Sequence, residues 1–385
     1  MCCASFRIDV DAETRKKWAS LDNPSGDGKL SLNILEPQGD DNRYLLKFNH
    51  HQCDLLTDDG LCQVQKQYGH EYLPATCRDY PRNDLKNNLV MVETATLSCP
   101  VISRQLLFNN NDLDFNYKLD KLFKLNKPVL ADQSTVLRYH LTNFVSSVLN
   151  VKKVRINIKL FYIAHCVGVL NEYLGTHGYN ESMAHQLFSR PKDAMFEINR
   201  DLKSKKIAID PVTAGSYWKK IGELFLSREV NLRCVNLESS ELIQLCARDD
   251  ENFDHYREIY ELVSRYRKQW QEQRPDYFES LLERYIITSF VNKGFPLHPL
   301  GDQFSATLVF IMTAASAIQL ALWIAYSEPQ ELYKLSKPDD ETLQQIFYHL
   351  ESKIGHTDRI YQTLTVDSHM AQINRYAQVF LDLFV

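Results

Sequence analysis

Six of the nine cysteines in this 385-residue chain fall within its first 99 residues: Cys2, Cys3, Cys53, Cys62, Cys77 and Cys99. A thiolate is a soft, anionic ligand suited to zinc or to an iron–sulfur cluster. Eight residues separate Cys53 from Cys62, fourteen separate Cys62 from Cys77, and twenty-one separate Cys77 from Cys99. None of these is the tight CxxC knuckle of a zinc finger, so tertiary folding would have to gather the ligands. The residues themselves leave three readings open. The thiols are small buried hydrophobes, or four of them close a structural zinc site, or they hold an iron–sulfur cluster, for which Pro100 directly after Cys99 is a weak sign. His50 and His51 lie just before Cys53 and read as neighbours of a metal site rather than ligands. Cys166, Cys234 and Cys246 stand singly in helical sequence and read as bystanders.

Two regions would position these groups. Residues 1–128 read as a cysteine-rich α+β metal-binding domain. Asp11 is a helix cap for 12–21, with Glu13 in the first turn. The cluster NPSGDGK marks a turn at 23–29. Strands are expected over 30–35, 43–48 and 89–96, the last from its β-branched alternation. Gly60, Gly69, Pro74 and Pro81 punctuate the cysteine stretch, which suggests loops held by a metal rather than by a large apolar core. Residues 129–385 read as a larger all-α domain on which the first packs, and the whole is mainly α. Apolar periodicity predicts helices over 135–149, 154–174, 181–188, 214–226, 256–273, 277–292, 303–325, 341–353 and 358–384. Tyr256, Ile259, Val263, Tyr266 and Trp270 form one clear apolar stripe, expected in the core.

Composition narrows the function classes. Hydrophobic residues make up 44% and charged residues 24%, a globular balance. A net charge of -5 argues against nucleic acid as the partner. The first residues lack the order of a signal peptide. Together with an odd cysteine count, this favours a reducing cytoplasm and thiols over disulfides. Residues 304–326 are long and apolar enough to span a membrane. They carry Ser305, Thr307, Thr313, Ser316 and Gln319 and lack flanking basic anchors, so they read as a buried central helix, with no membrane span.

Three stretches carry a resemblance. MCCASFRIDVDAETRKKW at the start, the run from Cys53 through DGLCQVQKQYGHEYLPATCRDYPR, and ATLSCP around Cys99 together resemble the flagellin lysine-N-methylase family and its broader CxxCC zinc- or iron-binding relatives. YFESLLERYIITSFVNKGFPL (277–297) is similar to that family's helix ending in Phe-Pro. The resemblance implies methylation of surface lysines of flagellin with S-adenosylmethionine and a cysteine-bound iron–sulfur cluster, of the 4Fe-4S kind, with zinc as the alternative metal. On this pattern Cys53, Cys62 and Cys77 are the firmest ligands, followed by Cys3 and Cys99 and then Cys2. Family members carry a further cysteine upstream of the Cys2-Cys3 pair, and an Asn where this chain has Arg284.

Lysine methylation requires the ε-amine to lose its proton and attack the methyl carbon in line with the departing sulfur. A Tyr, Asp or Glu beside an apolar channel suffices. Tyr80, Asp79 and Arg82, next to Cys77, are the local candidates; the plain alternative is a turn whose Arg pairs with an Asp. No glycine-rich turn follows a strand, so no short motif announces a site for S-adenosylmethionine. The rival function is a non-catalytic metal-binding adaptor whose helical domain binds a partner.

Overall fold

Asp11 begins the first helix as its sequence requires. In the computed structural model its extended backbone lets Oδ1 accept from the Thr14 amide at 2.8 Å, and α1 runs Ala12–Ala19. Glu13 in the first turn and Lys16 and Lys17 in the last complement the helix dipole. The structure describes residues 8–23, 28–30, 34–38, 43–49, 52–86, 91–109, 133–178, 180, 182, 186–204, 209–226, 237, 239–293, 304–328, 339–354, 377 and 379–381.

The chain forms two compact units, the first from Met1–Asn83 with Ala95–Ile102 and the second from Asp84–Thr94 with Ser103–Val385. In the first, β1 (Leu35–Gln38) pairs antiparallel with β2 (Arg43–Leu46), Leu35 opposite Leu46. Residues 8–10 run beside β2, with Val10 and Leu46 amides bonding Tyr44 and Ile8 carbonyls. Strand β3 (Phe48–Asn49) pairs with β4 (Gln52–Cys53), which sets Cys53 opposite Phe48. Short helices α2 (Gln63–Tyr68) and α3 (Ala75–Asp79) follow, joined by a 3-10 turn at His70–Tyr72. Strands β5 (Arg82–Lys86) and β6 (Met91–Ala95) pair with each other, and most of both belongs to the second unit.

This region is not a set of loops lacking an apolar core. Trp18, Leu30, Val64, Leu55 and Leu46 are among the buried members of a continuous core cluster. Trp18 is fully buried and donates through Nε1 to the Tyr72 carbonyl at 2.8 Å, which fixes α1 against the 3-10 turn. Of the strand expected at 30–35, Leu35 begins β1, Leu30 and Ile34 are not in a strand and 31–33 lie outside the described residues, while the one expected at 43–48 breaks after Leu46 and resumes at Phe48. The third, expected at 89–96, runs Met91–Ala95 among the described residues.

The second unit is helical and makes the chain mainly α. Its first helix, α4 (Pro100–Ser103), begins in the first unit and continues into a π-helical turn at Arg104–Phe108. Then come α5 (Gln133–Leu149), α6 (Ile156–His177), α7 (Pro191–Lys203), α8 (Pro211–Leu226), α9 (Glu241–Cys246), α10 (Phe253–Gln273), α11 (Phe278–Asn292), α12 (Phe304–Ser327) and α13 (Asp340–Ile354). Helices α7 and α9 were not expected from periodicity. Most of the expected helices at 181–188 and 358–384 lie outside the described residues.

Helix α12 is the hub. It packs against α6, α8, α10, α11 and α13, and 94% of its most apolar window is buried. A helix apolar all round is what a core position asks for. Trp323 lies 5.0 Å from the Trp218 ring, and Tyr326 lies 5.1 Å from Trp270. Helix α8 meets α10 closely because Gly215 lacks a side chain: a Cβ there would stand 1.8 Å from the Tyr256 carbonyl oxygen. Lys159, buried on α6, donates to the Leu149 carbonyl at 2.8 Å and to Glu283 at 2.7 Å, which satisfies the end of α5.

Candidate functional site

The thiols of the first unit are placed by short-range turns and two long-range ties. Between Cys53 and Cys62 the chain makes a closed loop. Thr57 bonds the Leu61 carbonyl through both its amide (2.9 Å) and its hydroxyl (2.8 Å). Gly60 takes φ +77°, a conformation L side chains rarely adopt. The Leu56 amide bonds the Cys53 carbonyl at 2.9 Å, and Leu56 forms a β-bridge with Cys62. This brings the backbones of the two cysteines to the same turn. Cys62 then occupies the N-cap of α2.

Cys77 sits in α3, a helix of only five residues that could not persist alone. Asp11 holds its start. While Asp11 Oδ2 accepts from the Thr14 hydroxyl at 2.7 Å, it also accepts from the Ala75 amide at 3.3 Å. One carboxylate thus caps α1 and anchors the helix that carries Cys77. Partial burial works to raise the Asp11 pKa, but the bonds from Thr14 and Ala75 overcome it and bring it to about 2.

Cys99 is tied to the segment after Cys77. The Thr96 amide bonds the Pro81 carbonyl at 2.9 Å, and the Cys99 amide bonds the Thr96 carbonyl at 3.2 Å. A chain of hydroxyls runs from Tyr80 to Ser98 at 3.4 Å and from Ser98 to Thr96 at 3.0 Å.

Cys53 is a buried member of the unit's core cluster, and half-buried Cys62 and Cys77 pack against the same cluster. Cys99 is buried as well. None of these four is in a disulfide. Thiols of this kind suit a thiophilic metal by their chemistry. Among the described residues, however, no three His, Cys, Asp or Glu side chains are gathered to hold an ion. Cys2, Cys3, His50 and His51 lie outside the described residues.

The bystander cysteines have a different chemistry. Burial pushes the Cys166 thiol up to about 12, against a lowering hydrogen bond from Tyr162. Burial and the nearby Glu223 charge push Cys246 to about 12 as well. Both stay protonated and inert. Cys234 lies outside the described residues.

Of the three candidates beside Cys77, Asp79 is exposed at the end of α3 and pairs with Arg78 at 3.5 Å. Arg82 is exposed at the start of β5, and Tyr80 is half-buried in the hydroxyl chain. Arg284, where the family pattern has Asn, donates to the carbonyls of Leu107 (3.3 Å) and Asn109 (3.2 Å) and so closes the π-helical turn. The anchoring role of Asp11 at α3 was not legible beforehand, since its partner lies 64 residues away. Its cap role was, from Asp followed by helix formers.

Part of this chain is similar to three flagellar or methylase proteins. It is 30% identical over 132 residues to the lysine-N-methylases of Salmonella typhimurium and Salmonella choleraesuis, and 28% identical over 131 residues to the flagellar biosynthetic protein FliU of Salmonella muenchen. Each match covers 29% of this chain. The matched stretch spans 28% of the two methylases and 67% of the FliU protein. No family model matches the chain, and no solved structure matches it.

Proposed function

We propose that this chain is an S-adenosylmethionine-dependent lysine N-methylase acting on flagellin, with an iron–sulfur cluster on its N-terminal thiols. The observation that carries the reading is the partial similarity to two lysine-N-methylases and a flagellar biosynthetic protein. The presence of Cys53, Cys62 and Cys77, soft thiolate ligands by type, in the same compact unit supports it. These three would hold the cluster, with Cys3, Cys99 and Cys2 as the remaining candidates. When bound, the cluster supplies a staple for a unit whose elements are short.

The protein's own share of the chemistry is small. It must bind a lysine, strip water from the ε-amine so that the neutral form becomes accessible, and align it with the methyl donor. S-adenosylmethionine supplies the methyl group as an electrophile. Calorimetric titration of S-adenosylmethionine into anaerobically purified chain tests the reading. Saturable binding at one site is expected. Failure to bind in metal-loaded, folded protein would leave a metal-stapled adaptor instead.

A further inference from the structure

Helix α11 carries polar side chains where a core helix ordinarily carries apolar ones. Tyr285, Thr288, Ser289 and Asn292 follow at i, i+3, i+4 and i+7, and they are 1%, 5%, 5% and 8% exposed. That spacing sets them on one stripe. Tyr285 donates its hydroxyl proton to Glu351 of α13 at 2.9 Å, and Glu351 is itself 6% exposed. Burial first, and then the charge of Glu351, holds the Tyr285 hydroxyl well above its ordinary pKa, so it remains a donor. Among the described residues, Tyr285 is the only hydrogen-bond partner of this carboxylate, and no Lys, Arg or His pairs with it. The Thr288 hydroxyl is buried without a hydrogen-bond partner. Among the described residues this leaves a shielded carboxylate with one neutral donor and a buried hydroxyl with none, both unfavourable arrangements.

A row of aromatic rings runs on from the Tyr285 donor. Phe347 precedes Glu351 by one helical turn and so shares its face of α13. Its ring lies 5.4 Å from that of Tyr285 at 66°, and 6.1 Å from that of Phe108 at 89°. Phe108 is half-buried at the end of the π-helical turn that Arg284 closes, and π-helical turns are frequent at functional sites. Arg284 and Tyr285 are adjacent, so one stretch of α11 holds both the outer ring and the donor to the carboxylate.

The chemistry of this group selects its ligand. A single carboxylate repels anions and falls short of the several oxygens a hard metal ion needs. A buried carboxylate whose donor begins a row of aromatic rings, with an unpartnered hydroxyl further along the same α11 stripe, matches a primary alkylammonium. The charge goes to the carboxylate and the methylene stem lies on the rings. We infer that Glu351, Tyr285, Phe347 and Phe108 form a binding site for the side chain of a substrate lysine. The choice of lysine among alkylammonium ligands rests on the methylase reading.

The test uses the full chain and two probes, Nα-acetyl-lysine amide and its uncharged norleucine counterpart, followed by calorimetry or NMR titration. The lysine probe should bind saturably and at least tenfold more tightly than the norleucine probe. Glu351→Gln, which keeps an acceptor for Tyr285, should weaken lysine binding at least tenfold and raise KM for flagellin. Phe108→Ala should weaken it several-fold, and because this ring is half-buried the variant should still fold, which decides the matter if the Glu351 variant does not. Absence of saturable lysine binding by the wild type, or wild-type binding by both variants, overturns the site. Wild-type methylation of flagellin with unchanged KM in both variants would sink this site and leave the methylase reading intact. Lysine binding that depends on Glu351 without any methylation would do the reverse.

Discussion

Replacing Asp11 by Ala removes both anchors that its carboxylate supplies, the cap of α1 and the bond to the Ala75 amide at the start of the Cys77 helix. A folded pKa of about 2 against an ordinary 3.8 is a shift that would amount to about 2.5 kcal/mol if it converted fully. Asp11 is solvent-exposed, however, and screening discounts that figure to about 1 kcal/mol, in line with the loss of a helix cap. The sign follows from a depressed folded pKa: the stabilisation is complete above the unfolded value and is lost as pH falls toward about 2. About half remains at pH 3 by the same linkage. Hydrogen-exchange mass spectrometry of residues 63–79 reads this directly. Protection in Asp11→Ala should be about fivefold lower than wild type at pH 7, the equivalent of about 1 kcal/mol, with the gap narrowing at pH 3. Equal protection at pH 7, or a gap that widens on acidification, would refute the double-anchor argument.

Two further outcomes follow from the geometry. Gly215→Ala places a methyl group 1.8 Å from the Tyr256 carbonyl oxygen, so α8 and α10 must separate. A loss of about 2–3 kcal/mol is expected in thermal unfolding followed by circular dichroism, and unchanged stability would show that the close crossing is wrong. Cys62→Ala and Cys77→Ala should lose iron and soluble yield, whereas Cys166→Ala and Cys246→Ala, inert thiols with pKa values of about 12, should keep both. Elemental analysis of anaerobically purified protein decides it, and full iron content in the first pair would displace the proposed ligands.

Much of the helical half was legible in the sequence because its signals are local. Tyr256, Ile259, Val263, Tyr266 and Trp270 repeat at helical spacing, and α10 runs through all of them. The long apolar run became a buried hub, as its lack of basic anchors suggested. Helix α7 escaped notice because the residue before Pro191 is Arg190 rather than a Ser, Thr, Asp or Asn cap. In the cysteine region, Gly and Pro read as loop punctuation; Gly60 does turn a loop, but Gly69 and Pro74 separate two short helices. What holds those helices is distant: Asp11 reaches Ala75, and Trp18 reaches Tyr72, 54 residues on. The Glu351 group shows the same limit. In an amphipathic helix a Glu reads as solvated, and only the fold shows Glu351 buried with Tyr285 of α11 as its donor.

Intact-mass analysis of flagellin reads lysine methylation itself. Flagellin from the source organism is incubated with the metal-loaded chain, with and without S-adenosylmethionine, and then weighed and mapped by peptide mass spectrometry. Mass increments of one CH₂ per transfer are expected, located on surface lysines and appearing only when S-adenosylmethionine is present. An unchanged flagellin mass, from chain shown to be folded and metal-loaded, would contradict the methylase reading.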